Sequence, residues 1–397
     1  MMKDVFYSIL FFASVFFTSC HNSKNEDFTL ITVDLSKDYP LNDTISIQQL
    51  GKVEYIPLET DDHFLCDGYD GIKFINNEII VFYNISNNDF LIFNSDGKAI
   101  NKFNRQGQGP EEYLTLYGVI YDSGRRELFI NSSDRLLKVY DLHGNFKRQL
   151  INFNDFIHNI NYKELYSLDE YNFLLFSSER DSTGSVINKF SLFSKQSGEE
   201  VNTLNINTMP YHIIQNYFSR GERSVLMDSM SINGRFPKFI VKHIHSFFYN
   251  EYRSDTIFEF SNDLNTQNPI IIREPSIYSH NFKGFLFLDI VTQDNYFLRF
   301  YKTTFDSMPE WLMVNKKTKQ ITRQNFYNED DLNKNKVYFG SETGNLKKID
   351  DKTYYKLFDA FTLKEAYYSN ELQGELKELA AKIKEDDNPV LMIISLY

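Results

Sequence analysis

The feature that most constrains this chain is a repeated unit, a strand with paired apolar residues, a tight polar turn and a second strand. Its clearest copy runs from Phe90 to Phe93, turns over Asn94-Ser95-Asp96-Gly97 and returns from Ala99 to Phe103. A second copy joins 136–140 to 146–151 through Asp141-Leu142-His143-Gly144, and a third joins 189–193 to 201–206 through Gln196-Ser197-Gly198. A fourth, 246–249 with 256–260, turns over 251–255 without a glycine; a fifth joins 311–314 to 320–326 through 315–318. The Asp-Gly and Gly-Asn steps supply the positive φ that hairpin turns require.

Further strand candidates precede the hairpins, such as 71–74 with 78–83 and 118–121 with 127–130. Four strands per unit is the sheet of a propeller blade. The turns recur at about 47 to 64 residues, longer than the ~40 to 50 of a usual blade, so long loops are expected to project from one face. Five such units, with a sixth built from the two chain ends, predict an all-β, six-bladed β-propeller. In that ring Val53-Glu54-Tyr55-Ile56-Pro57-Leu58 pairs into the blade formed by 354–358 and 390–397, because open sheet edges must be hidden. Pro57 has no N–H to give a ladder and suits a strand end or an edge. One short C-terminal helix is expected over Glu371–Lys384, with Leu372, Leu376, Leu379 and Ile383 on one face, Asn370 as cap and Gln373 completing a capping box.

Composition agrees with a β fold. The chain carries 37 Phe and 26 Tyr against one Trp, and flat rings suit pleated, half-buried surfaces. At 397 residues it can bury a large core without staples. Only Cys20 and Cys66 are present, which leaves no disulfide framework and no cysteine zinc site. The net charge of −12, without a clustered basic stripe, argues against nucleic-acid binding.

Lys3 precedes an apolar run, Val5–Phe17, that is too short to span a bilayer, where ~20 residues are needed, and suits a signal-peptide core. The residues that follow, Phe17-Thr18-Ser19-Cys20, resemble the lipobox of bacterial lipoproteins, with Phe17 where that pattern usually has an aliphatic residue. The resemblance implies a signal peptide over 1–19, lipidation at Cys20, a flexible tether over 20–32 and a propeller domain over 33–397. It also implies an outer-membrane lipoprotein facing the periplasm or the cell surface, with the membrane as partner through Cys20.

With the lipobox, the hairpin spacing, the 53–60 segment and the loop RQGQGPEEY at 105–113, the chain resembles the six-bladed β-propeller lipoproteins of Bacteroidetes, distant relatives of NHL and TolB-type propellers. That resemblance implies fold and address, and it transfers no catalytic residue.

The 105–113 loop carries the candidate ligand-binding residues Arg105, Gln108, Glu111, Glu112 and Tyr113. Gly107 and Gly109 free the backbone and Pro110 fixes its exit, so the five side chains would be presented together where one blade passes to the next. The other reading is an inter-blade turn whose residues pair among themselves or with backbone. His243 and His245, two apart in a β-like run, would share a face but have no third ligand nearby, so no metal site is assigned. No GxxxxGK[ST] and no GxSxG occurs, and neither catalytic residues nor a cofactor are assigned. The expected function is a non-catalytic module that binds a glycan or an envelope component; the alternative is a polysaccharide-active propeller enzyme, a glycoside hydrolase or lyase. The lipid anchor gives a direct test. Cells fed a labelled fatty acid should label the wild-type chain and not Cys20→Ser, and the variant should leave the membrane fraction; equal labelling of both would place the anchor elsewhere.

Overall fold

Uninterrupted apolar runs lie in the middle of each sheet, and alternating runs lie at its rim. The computed structural model describes residues 30–42, 44–67, 71–155, 160–180, 186–207, 240–243, 245–251, 254–279, 281, 284–302, 309–339 and 346–397. The lipobox, Cys20 and most of the expected tether lie outside these residues.

The chain begins with β1 (Ile31–Asp34), β2 (Ile45–Ser46), the one-turn helix α1 (Ile47–Leu50) and β3 (Gly51–Pro57). Four antiparallel strands then form each of three sheets. The first holds β4 (Ile72–Ile75), β5 (Ile79–Tyr83), β6 (Phe90–Asn94) and β7 (Ala99–Phe103). The second holds β8 (Leu116–Asp122), β9 (Glu127–Ser132), β10 (Leu136–Tyr140) and β11 (Phe146–Asn152). The third holds β12 (Ile160–Ser167), β13 (Asn172–Arg180), β14 (Val186–Ser194) and β15 (Glu200–Asn207). The fourth contains β16 (Ile240–His243), β17 (Ser246–Tyr249), β18 (Thr256–Ser261) and β19 (Gln267–Glu274), with β1 added in parallel to β19. The fifth contains β20 (Gly284–Val291), β21 (Asn295–Lys302), β22 (Glu310–Asn315) and β23 (Ile321–Gln324). A small sheet joins β2 to β24 (Phe326–Tyr327) and β25 (Lys336–Val337). The last holds β26 (Lys347–Lys348), β27 (Thr353–Phe358), β28 (Val390–Leu396) and β3. Helices α2 (Ala360–Tyr368) and α3 (Gly374–Lys382) lie between β27 and β28.

The closure expected from the sequence is present: β3 runs antiparallel to β28 from Gly51 opposite Leu396 to Pro57 opposite Val390, with Tyr55 opposite Met392. The blade count is not. The described residues form seven sheets rather than six, and the extra one is made of two-residue strands too short to leave a period-2 pattern. The fourth hairpin is also shifted in phase, since it supplies the second and third strands of its sheet where the other hairpins supply the third and fourth. β1 starts at Ile31, inside the stretch read as tether. The helical region differs as well. It holds two helices, and α3 starts at Gly374, with no side-chain hydrogen bond at its cap, Gln373. Gln373 donates instead to the Glu329 carbonyl (2.5 Å), and Asn370 turns the chain at φ 55°. Among the helices of the described residues, the complete capping box is Ser46 with Gln49 on α1.

Within a sheet the burial changes from strand to strand. The second strands β5 and β9 are buried at every residue, because neighbouring sheets cover both faces. The outer strands β7 and β11 alternate between half-buried and exposed until a buried residue near the end of each, Phe103 and Ile151. Rings fill the gaps between sheets: Phe129 meets Phe173 edge-on at 4.9 Å, Phe190 meets Phe247 at 5.3 Å, and Phe248 meets Tyr296 at 5.9 Å.

Three turn glycines do two jobs. Gly97, Gly144 and Gly198 have φ of 80°, 79° and 75°, as hairpin turns demand, and each also seats its turn on the outer strand of the preceding sheet. A Cβ would strike the Pro57 carbonyl at Gly97, the Phe103 ring at Gly144 and the Leu150 carbonyl at Gly198. The hairpin turn is therefore also the joint between sheets. Gly97→Ala, Gly144→Ala and Gly198→Ala should each cost ~1–3 kcal/mol in chemical denaturation, with the larger losses at the two carbonyl contacts.

Candidate functional site

The first strands of the sheets, β4, β8, β12, β16, β20 and β26, converge on a cavity of about 590 Å³. Its wall combines rings, among them Phe74, Tyr121, Tyr166 and Phe339, with charged side chains from the same strands. Such a mixture of apolar wall and a few polar groups is the usual make-up of a ligand pocket of this size.

β-Bulges place several of these groups. Four of the first strands carry one extra residue relative to their partners: Lys73 in β4, Tyr117 in β8, Lys163 in β12 and Asp289 in β20. A bulge bends a strand and re-aims its side chains, so a charge can enter a strand that is otherwise core. Lys73 and Asp289 both reach the cavity wall in this way.

Asp289 is held by Arg299, one strand further out. The Arg299 Nε lies 2.5 Å from Oδ2 and Nη2 donates to Oδ1 at 2.9 Å, while Nη1 donates to the Phe339 carbonyl at 3.2 Å. The guanidinium also lies 5.8 Å from the Trp311 ring centre. Burial raises the Asp289 carboxyl, and Arg299 opposes that rise. The Tyr354 hydroxyl donates to the Asp289 carbonyl at 3.1 Å, and burial pushes that phenol well above its ordinary range. The second carboxylate of the wall, Asp350, accepts from the backbone N–H groups of Lys352 and Thr353 at 2.9 and 2.8 Å. Both carboxylates thus already serve the fold.

The 105–113 loop lies apart from this cavity wall. The Glu112 carboxylate accepts from the Gly109 N–H at 2.8 Å, the Arg105 Nε donates to the Gly144 carbonyl at 2.7 Å, and the Tyr140 hydroxyl donates to the Glu111 carbonyl at 2.8 Å. The Lys138 ammonium donates to the Glu112 carbonyl. Tyr113 is fully buried between Phe90 and Tyr140, each edge-on at 6.1 Å. Arg105, Gln108 and Glu111 remain exposed, so the loop presents three of its five candidate side chains, while Glu112 is half-buried against its own turn and Tyr113 lies in the core.

The sequence profile of the domain of unknown function DUF4934 matches residues 30–395. The chain belongs to this family. No curated protein matches it. Among solved structures, one Bacteroides fragilis protein, designated an exported protein, is 14% identical, with a TM-score of 0.56 over 93% of this chain and all of the other. A Bacteroides vulgatus member of the DUF4221 family is 10% identical, with a TM-score of 0.43 over 88% of this chain and 97% of the other. The first of these supports the propeller-like fold of this DUF4934 chain and carries nothing about its ligand.

Two other sequence candidates resolve differently. β16 ends at His243, β17 starts at Ser246, and the exposed His245 sits in the turn between them, so the two histidines do not share a strand face. Cys66 is half-buried beside the first sheet and burial pushes its thiol up to about 12, as for a packing residue. The cavity residues Lys73, Asp289 and Arg299 belong to no motif of the sequence. Their signal was a charge inside an apolar strand, as in GIKFI, FLFLDIV and YFLRFY. Arg299→Met would leave Asp289 uncompensated and should cost ~3–5 kcal/mol near neutral pH, less in acid, where a protonated carboxyl has no charge to desolvate. Adding Asp289→Asn should recover part of that loss in a double-mutant cycle of denaturation midpoints.

Proposed function

We propose that this chain is an extracytoplasmic, lipid-tethered propeller that holds a ligand or partner, a glycan or an envelope component, in its central cavity and performs no chemistry on it. The observation that carries this reading is the convergence of the first strands on one cavity whose carboxylates among the described residues, Asp289 and Asp350, both accept bonds within the fold. The Arg299 ion pair commits Asp289, one of the two carboxyls that a hydrolytic acid–base pair would need. The address rests on the short apolar segment before Cys20 and on the exported designation of the Bacteroides fragilis protein. Among the described residues no helix is long and apolar enough to cross a membrane, and attachment through Cys20 needs none.

Gly118 supplies the test, because it lines the cavity, a Cβ there meets nothing within 4 Å, and its backbone needs no positive φ. Gly118→Trp should fill the cavity and leave the melting temperature close to wild type. On an array of glycans and envelope components it should lose whatever the wild-type chain retains, by more than about tenfold. Undiminished binding by a folded Gly118→Trp would move the site away from the cavity.

A further inference from the structure

The chain carries a net charge of −12, yet its cavity wall has the opposite sign. Among the described residues the wall holds five cationic side chains, Lys73, Lys242, Arg299, Lys347 and Lys348, against the carboxylates Asp289 and Asp350. Asp351, which lies 3.6 Å from Lys242, leaves the cations in excess when it is counted as well. The excess does not depend on any one of these groups lacking a partner. Arg299 is paired with Asp289, and the Lys73 and Lys348 ammonium groups lie 5.7 and 5.9 Å from the ring centres of Tyr83 and Tyr354. What acts on a ligand is the summed charge, and a concave, low-dielectric wall of one sign focuses the field within it.

The cations reach the cavity from different sheets: Lys73 from the first, Lys242 from the fourth, Arg299 from the fifth, and Lys347 and Lys348 from the last. They therefore line a continuous arc of the wall from the fourth sheet round to the first, while β8 and β12 complete it with rings and neutral side chains. Rings stand between them, including Phe74, Tyr121 and Phe339. A ring face suits the apolar face of a sugar or another flat group, while ammonium and guanidinium groups suit carboxylate or sulfate.

Building on the cavity-binding reading above, we propose that the ligand is an acidic saccharide, bearing carboxylate or sulfate groups, whose anionic end enters the cavity between the lysines of the first, fourth and last sheets. A neutral saccharide lacks the charge that this wall complements. The outward acidity of the chain would repel the same ligand elsewhere, which concentrates recognition on the one basic concavity.

The test uses the purified full-length chain in detergent and calorimetric titration with three probes of one size: a digalacturonate, a sulfated disaccharide and a neutral disaccharide. At least one acidic probe should bind, more weakly as salt rises, with the neutral probe at least about tenfold weaker. Which acidic probe binds better separates carboxylate from sulfate recognition. Lys347→Gln/Lys348→Gln, or Lys73→Gln should the double variant melt early, should weaken acidic binding by about tenfold, whereas Lys317→Gln, an exposed lysine outside the cavity wall, should not. Equal binding of the neutral probe, indifference to the cavity lysines, or no binding of either acidic probe would overturn the proposal. If the neutral probe binds and Gly118→Trp abolishes that binding, the cavity remains the site and only the charge assignment fails.

Discussion

The β3–β28 pairing is the interaction on which the rest of the structure depends. Second strands such as β5 and β9 are buried on both faces, so every sheet needs a neighbour on each side. A linear stack would leave two such faces and two strand edges in water. Pairing the N-terminal β3 with the C-terminal β28 makes the last sheet from both chain ends and puts it against the first, where Leu58, Leu91, Tyr355 and Leu391 share one buried cluster. The turn at Gly97 then seats on Pro57, the final residue of β3, so the contact that joins other sheets also joins the first to the last.

That joint explains which parts of the fold could be read from sequence. Gly97, Gly144 and Gly198 stand out because a positive φ and a close backbone approach both demand glycine, and the hairpins around them match β6–β7, β10–β11 and β14–β15. The 251–255 turn has no glycine to mark its place in the unit, and the hairpin it joins is out of phase with the others. The small β2–β24–β25 sheet, which changes the count from six to seven, leaves no pattern because two residues cannot alternate. The expected helix over 371–384 contains α3, but its capping and the preceding α2 are not legible, for a related reason. The side chains of Asn370 and Gln373 have the composition of a cap but serve a turn and a distant carbonyl, while Asp359, the cap of α2, directly follows an apolar strand whose pattern runs into the helix.

The candidate site was legible only in part. The GQGPEEY loop drew notice because glycine and proline are conspicuous, yet its internal hydrogen bonds and the burial of Tyr113 show how much of it is needed to carry the chain from β7 to β8. The cavity residues are inconspicuous for the opposite reason. A lysine or aspartate within an apolar strand looks like an exception to the core until the bulge that turns it inward is known, and a bulge is a relation between two strands that no single segment encodes.

Bulging also reconciles the two electrostatic demands on these strands. They must be apolar enough to pack beside their second strands, yet the cavity they enclose carries charge. An extra residue resolves this at one position without changing the pattern on either side, as Leu288 and Ile290 show by remaining fully buried on either side of Asp289. The cost of the buried carboxylate is offset by Arg299, which arrives from the adjacent strand at a fixed register and is itself steadied by the Phe339 carbonyl and the Trp311 ring. Residue choice on the second strand thus stabilises a polar group on the first, and the chemistry of the cavity can vary while the stacked apolar layers around it stay as they are.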